Sequence, residues 1–356
     1  MADPDNQPAS AGRDQVPCDR VSLVIGASGF LGSRVTRRLV EAGETVHVMT
    51  RASSDTSAID DLVVVRHVGE IDDADALRDA MAAATDVYYC VVDARPWLRD
   101  PAPMQRTNVD ALRVVLPVAA QASLRRFVFT SSVITFTCGP RPGESDRAWR
   151  RRVGAYAATR VEAENLVTAY ARDHGLAAVS MGVANTYGSG DLTPTPHGGL
   201  VMLAAFGRLG LYPGGAAADV VGIDDAADAL VLAARHGRNG QRYAVTESVM
   251  GTGEIAGIAA DEAGVAPPRR AVPLGVMIAA GAVSELVSRA TGREALLTRR
   301  TARLMNLPPV GTAERERTRD ELGWRPRPTA ESIREAARFF IARREARRRA
   351  RGAPGE

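Results

Sequence analysis

Lysine is missing altogether: the 45 basic residues among the 356 are all arginine. That absence excludes Schiff-base chemistry and a lysine acid or base. Cysteine is scarce, and Cys18, Cys90 and Cys138 are too widely spaced for a disulfide framework or a zinc pattern. The histidines are equally scattered, so no metal centre is expected. Charge of one sign is not in excess either. A net charge of +3 implies no polyanionic partner. Nucleic-acid binding through the arginine-studded end is not expected, because no aromatic platform accompanies it. Long apolar runs are lacking as well. The longest, 271–283, is interrupted by Pro273 and Gly275 and followed by Glu285, whereas a bilayer-spanning helix needs about 20 apolar residues. This predicts a core or subunit-packing helix and no transmembrane segment, with peripheral membrane contact as the lesser alternative. No early apolar stretch precedes a cleavage site, which predicts a soluble, cytoplasmic protein.

What the chain does have is a strand, a glycine turn and a helix close to its start. Val21-Ser22-Leu23-Val24-Ile25 reads as a buried strand. Gly26-Ala27-Ser28-Gly29-Phe30-Leu31-Gly32 leads into a helix where Arg34, Arg37 and Arg38 alternate with Val35, Leu39 and Val40 at helical spacing. Glycines at 26, 29 and 32 permit a tight turn and let the backbone approach a pyrophosphate. They also let the helix pack on the strand, its N-terminal N–H groups facing the anion. A glycine triplet alone is weak evidence, but this flanking predicts dinucleotide binding by Gly26, Ser28, Gly29, Phe30, Leu31 and Gly32. The second strand, Thr45–Thr50, runs into Arg51 with no acid to accept from a ribose 2′-hydroxyl. Arg51 can pair with a 2′-phosphate, and Ser53 or Ser54 can add hydrogen bonds, so NADP(H) is expected over NAD(H).

Further along, strand and helix signals alternate: strands at 62–67, 87–92, 127–131 and 177–182, helices at 74–84, 108–122 and 155–174. This rhythm predicts an α/β fold, a doubly wound parallel sheet of the Rossmann kind with right-handed crossovers. Residues 1–19 read as a disordered polar tail and 20–184 as the dinucleotide-binding domain. The rhythm breaks at Asn185, so 185–219 and 247–342 predict a smaller C-terminal substrate-binding domain. The segment 220–246, with signals at 220–234 and Arg242–Val245, is expected to return to the main sheet. A basic tail, 343–356, follows.

Thr130-Ser131-Ser132 sits where a strand ends, at the edge where open α/β sheets place ligands. Tyr156-Ala157-Ala158-Thr159-Arg160 follows early in a helix, and its i, i+4 spacing puts the phenol and the guanidinium on one face. A phenol titrates near pKa ~10, and a fixed cation beside it favours the phenolate. Such a phenol can pass a proton to or from a substrate oxygen that a serine hydroxyl holds. The competing reading is a tyrosine packed on its own helix beside a surface arginine.

Together with Leu322-Gly323-Trp324-Arg325-Pro326, these motifs resemble the extended short-chain dehydrogenase/reductases over about residues 21 to 342. The Val128-Phe129-Thr130-Ser131-Ser132 wording is similar to the dihydroflavonol-reductase and 3β-hydroxysteroid-dehydrogenase branch. The resemblance implies that Ser132 orients the substrate oxygen and that Tyr156 is the acid/base. It also implies that position 160 holds the nicotinamide ribose; the family has lysine there, and this chain has Arg160. Guanidinium keeps the charge and donates hydrogen bonds but cannot give up its proton. Glu70 and Ile71, in place of the family's Asp-Leu/Ile, would lie near the adenine. Val92, within Cys90-Val91-Val92-Asp93 where the family has His-Leu-Ala-Ala, would lie against the cofactor. The family's Asn-Val-x-Gly-Thr is Asn108-Val109-Asp110-Ala111-Leu112 here, and its Arg-Pro pair is Gly182-Val183. Pairing of relatives through the tyrosine-bearing helix and the one before it implies a possible homodimer.

Three functions remain open: an NADP(H)-dependent reductase of a ketone or aldehyde (or the reverse alcohol oxidation) on a small, largely uncharged metabolite; a nucleotide-sugar epimerase or dehydratase; and a non-catalytic nucleotide-binding regulator. Asn185-Thr186-Tyr187-Gly188 resembles the loop that touches substrate phosphate in sugar epimerases. Against this, Ala218 stands where those enzymes carry an arginine, and losing a bidentate anion clamp argues against a diphosphate substrate. Arg208 on the neighbouring helix could substitute, although it reads first as a solvated surface arginine. Asn185, Tyr187, Leu200 and Tyr212 are expected to line the substrate pocket, together with Thr193, Pro194 and Leu211.

Overall fold

The computed structural model describes residues 20–292, 294–295 and 297–352. The expected tail 1–19, with Cys18, and residues 353–356 lie outside the described residues. The main sheet is built from short apolar runs. Its strands are β1 (Val21–Ile25), β2 (Thr45–Thr50), β3 (Val65–Val68), β4 (Asp86–Tyr89), β5 (Arg126–Ser132), β6 (Ala178–Val183) and, later in the chain, β10 (Arg242–Val245). They lie in the order β10-β6-β5-β4-β1-β2-β3, every pair parallel. Leu23, Val24 and Ile25 are wholly buried, as a strand covered on both faces requires.

Helices cover each face. α1 (Phe30–Glu41) and α7 (Ile223–His236) bury Val35, Leu39, Ala226 and Leu230 on one side. α2 (Ala74–Met81), α4 (Ala111–Gln121) and α5 (Asp146–Asp173) bury Leu77, Leu112, Leu116 and Val167 on the other. The arginines of α1 stay at the rim, Arg38 pairing with Asp228 at 2.9 Å, an exposed contact worth at most about 1 kcal/mol. The expected helix 108–122 is compound: α3 (Ala102–Gln105) passes through a π-helical turn, Arg106–Asp110, before α4 begins.

The second lobe holds a sheet of β7 (Asn185–Tyr187), β9 (Ala217–Gly222) and β11 (Ser248–Gly251), with β8 (Leu211–Pro213) paired to β12 (Arg270–Val272). It is packed by α6 (Pro196–Ala205), α8 (Thr252–Glu262) and α12 (Thr329–Gly352). The expected return of 220–234 to the main sheet is therefore corrected. β9 pairs in parallel with β7, which follows β6 after one residue, and so stays in the small sheet. Only α7, as a covering helix, and β10 rejoin the large one. α9 (Leu274–Thr291), α10 (Arg299–Leu304) and α11 (Thr312–Leu322) complete the chain. α9 is not a core helix: Met277, Gly281 and Ser288 are buried, while Val276, Val283, Leu286 and Val287 are exposed. Past α11, Trp324 is buried and donates its indole N–H to the Asp225 carbonyl at 2.8 Å, so the late Leu-Gly-Trp motif anchors the chain end on α7. α12 carries the expected basic tail as helix as far as Gly352.

Candidate active site

Parallel register brings the strand ends together. Ile25 lies opposite Met49 and Tyr89, so the next residues, Gly26, Thr50-Arg51 and Cys90, emerge at one edge. The strand order reverses there, between β1 and β4, the place where open α/β sheets bind ligands. The turn after β1 has glycine for two different reasons. Gly26 takes φ +88°, and a Cβ on Gly32 would lie 2.2 Å from the Gly26 carbonyl oxygen. The fold itself therefore excludes side chains at 26 and 32. Gly29 is exposed, its φ is −78°, and a Cβ there would meet nothing nearer than 3.4 Å. Nothing among the described residues demands glycine at 29, so the outer face of the turn is left uncovered there. α1 also begins with no side-chain cap and no acid in its first turn, which leaves its N–H groups and dipole to an anion.

Ser28 and Leu31 are half-buried beside this turn, and Phe30 opens the helix. Arg51 and Ser53, beyond β2, are exposed, and the Arg51 side chain makes no hydrogen bond or ion pair among the described residues. Glu70 is exposed just past β3, with Ile71 packed on the apolar layer beneath, and Val92 is 42% exposed past β4. Burial pushes the Cys90 thiol up to about 11.

At the end of β5 two adjacent serines have separate duties. Ser131 donates to the buried Glu164 carboxylate at 2.5 Å, and Thr135 donates to the same oxygen at 2.9 Å. Arg242 pairs with the other carboxylate oxygen at 3.2 Å. Ser132 is half-buried; among the described residues its hydroxyl only accepts, weakly, from the Ile134 N–H at 3.4 Å, and its own proton has no acceptor there. α5 is broken at Gly154 (φ +82°), so a fresh helical segment starts just before Tyr156. One turn on, Arg160 is 1% exposed. It donates to the Thr130 carbonyl, and its guanidinium carbon lies 5.1 Å from the Phe129 ring centroid. Its Nε and Nη1 are buried without a partner among the described residues. Burial pushes this guanidinium below its ordinary range, against the pull of Tyr156, Tyr89 and Glu164. The alternative of a surface arginine is thereby removed.

Two observations fit a nicotinamide dinucleotide: the uncovered cradle at Gly29 and the unsatisfied donors of Arg160. Supporting contacts were not foreseen from sequence. Asn108, buried in the π-helical turn, donates to the Asp93 carbonyl at 3.0 Å and to Thr159 at 3.2 Å, tying the loop after β4 to α5. Glu164, one turn past Arg160 on α5, was legible only as an i+4 neighbour of that residue.

The expected substrate residues do not converge. Tyr187 is closed inside the small lobe, edge-on to His197 at 5.6 Å, and Leu200 packs on the same cluster. Tyr212 lies over Gly253, where a Cβ would be 2.6 Å from its ring. Asn185 is half-buried in β7. A cleft of about 770 Å³ opens elsewhere, between the loop after β4, the start of α5, α9 and α10, and none of these four residues lines it. Leu304 and Leu307 of its wall share an apolar cluster with Tyr156, Trp149 and Val153.

A family model described as the NAD dependent epimerase/dehydratase family matches residues 22–246. The chain belongs to that family. It is thus an NAD(P)-dependent enzyme of the extended short-chain dehydrogenase/reductase superfamily. It is similar to sterol demethylase protein B of Methylococcus capsulatus, 29% identical over 328 residues that cover 90% of this chain and 98% of that protein. UDP-glucose 4-epimerase of Streptomyces lividans is 27% identical over 331 residues, covering 85% of this chain and 91% of the epimerase. Among solved structures, that of gox2253 aligns with a TM-score of 0.77 at 28% identity, covering 91% of this chain and 98% of the other. Both reductases and epimerases occur among the family members similar to this one.

Proposed function

We propose that this family member is an NADP(H)-dependent oxidoreductase that reduces a ketone or aldehyde, or oxidises the corresponding alcohol. The observation that carries the reading is the division of labour at the end of β5. Ser131 is spent on Glu164, while the Ser132 proton meets no acceptor among the described residues, on the strand end that Arg160 grips, one helical turn from Tyr156. In this reading the turn at Gly26–Gly32 holds the diphosphate, Arg51 the 2′-phosphate and Arg160 the nicotinamide ribose. NADPH, when bound, supplies the hydride. Ser132 holds the carbonyl oxygen by a hydrogen bond, and Tyr156 delivers the proton that the oxygen acquires. Such proton transfer contributes roughly 10²–10⁴-fold to rate. A soluble homodimer is the assembly the family resemblance favours.

The expected uncharged metabolite fits the cleft poorly, because arginines dominate its wall. A nucleotide-sugar epimerase or dehydratase is accordingly the second reading, favoured by that same wall. Steady NADPH consumption on presenting ketones and aldehydes, with deuteride from labelled NADPH found in the alcohol, supports the oxidoreductase. Tightly retained nucleotide with no net NADPH consumption would transfer support to the epimerase.

A further inference from the structure

We propose that the cleft between α5, α9 and α10 is an anion site that receives a phosphate-bearing end of the substrate; only the word substrate rests on the oxidoreductase reading above. Over the whole chain arginines and acids nearly balance, 45 against 42. In the cleft wall they do not: eight arginines face a single acid, Glu285. Arg299 already takes up that acid, at 2.9 Å through its side chain and 2.8 Å through its backbone N–H. Arg152 is likewise paired, to Glu144 at 2.7 Å. Arg151, Arg300 and Arg303 have no acidic partner among the described residues.

These cations come from two separate parts of the chain, α5 and α10, and meet at one opening. Packing like charges together around a cavity destabilises a fold unless something of opposite sign enters it. The ligand class follows from the number of forks. One guanidinium satisfies a single carboxylate in bidentate fashion, whereas several unpaired ones call for a group with more oxygens and more charge, as a phosphate has. The position links the site to the chemistry. The Arg300 side chain passes over Gly154, its Cδ 3.7 Å from where a Cβ would stand, two residues before Tyr156. Leu304 and Leu307 continue from the cleft wall to the cluster against Tyr156. A substrate anchored by its phosphate on Arg151, Arg300 and Arg303 extends its uncharged part toward the phenol.

The test is a calorimetric titration of inorganic pyrophosphate into protein saturated with NADP⁺, which occupies the glycine turn, at near-physiological ionic strength. Succinate and glycerol are titrated in parallel. Pyrophosphate is expected to bind and glycerol not to bind. The R300Q/R303Q double variant is expected to weaken pyrophosphate at least about tenfold while NADP⁺ affinity stays unchanged. Its melting temperature should be unchanged or higher, because it relieves repulsion and breaks no ion pair. Absence of pyrophosphate binding, equal binding by the double variant, or tighter binding of succinate than of pyrophosphate would overturn the proposal. If wild-type protein fails to bind NADP⁺, the oxidoreductase reading falls. The pyrophosphate titration, repeated on nucleotide-free protein, is then still decided by Arg300 and Arg303.

Discussion

Replacing Gly29 and Gly32 separately by alanine divides what the fold needs from what a ligand needs. At Gly32 the new methyl would lie 2.2 Å from the Gly26 carbonyl oxygen and 2.9 Å from its carbon. The obstacle is backbone, so β1 and α1 must move apart, and overpacking of this kind costs about 1–3 kcal/mol or more. At Gly29 the nearest atom is 3.4 Å away and φ is −78°. Alanine is a poorer helix N-cap than glycine by about 0.5–1 kcal/mol, but it also restricts the unfolded chain, which restores about 0.4–1 kcal/mol. Gly29→Ala should therefore leave urea stability within about 0.5 kcal/mol of the parent. Its methyl nevertheless projects into the mouth of α1 and keeps a diphosphate off at least one N–H group. A lost charge-assisted hydrogen bond is worth about 1.5–3 kcal/mol, or roughly 10–150-fold in NADP⁺ affinity. Urea unfolding and nucleotide titration on both variants read the two effects apart. Full affinity in Gly29→Ala, or parental stability in Gly32→Ala, would refute the reasoning.

Arg51→Ala should weaken NADP⁺ at least about tenfold and leave NAD⁺ unaffected, since the guanidinium is assigned to the 2′-phosphate; wild-type protein that binds NAD⁺ as tightly as NADP⁺ contradicts that assignment. Arg160→Lys should lower both stability and nucleotide affinity, by about 1–3 kcal/mol in stability, because an ammonium cannot keep the flat contact on Phe129 while donating to Thr130; unchanged unfolding with stronger binding would show that the guanidinium plane is dispensable. His197 is held down to about 4 by burial, below an unfolded value near 6.5. Its neutral form therefore contributes stability that is complete above about pH 6.5 and is lost as pH falls toward 4, up to about 3 kcal/mol. His197→Gln should flatten the urea-stability profile across that window relative to the parent, and identical slopes in the two proteins would refute the attribution.

The parts of this fold legible in the sequence are those written in local pattern. The run Val21–Ile25, the glycine turn and the i, i+4 apolar pair Val35 and Leu39 specify β1 and α1 without outside help. Parallel pairing then sets the strand ends side by side, so Arg51 and Ser132 were legible at one edge from the strand pattern, whereas Glu70 and Val92 were reached only through the family resemblance. What depends on nonlocal pairing was not legible. β9 reads like another main-sheet strand, and only its partner β7 places it in the small lobe. The fate of Arg160 was also hidden, because turning inward to the Thr130 carbonyl depends on the Phe129 ring and the depth of the helix, neither of which a spacing reveals. Least legible was the cleft. Its arginines lie between positions 99 and 303 and look like ordinary solvated charges until α5 and α10 are placed across from one another.

Turnover by Tyr156→Phe, measured as NADPH consumption on any carbonyl compound the wild-type protein reduces, tests the central claim most directly. The change removes one oxygen from a half-buried side chain whose hydroxyl has no hydrogen bond among the described residues, so unfolding and NADP⁺ affinity should stay nearly unchanged. If the phenol delivers the proton, turnover falls by roughly 10²-fold or more. Turnover at the wild-type rate would contradict the account and remove Tyr156 from the chemistry.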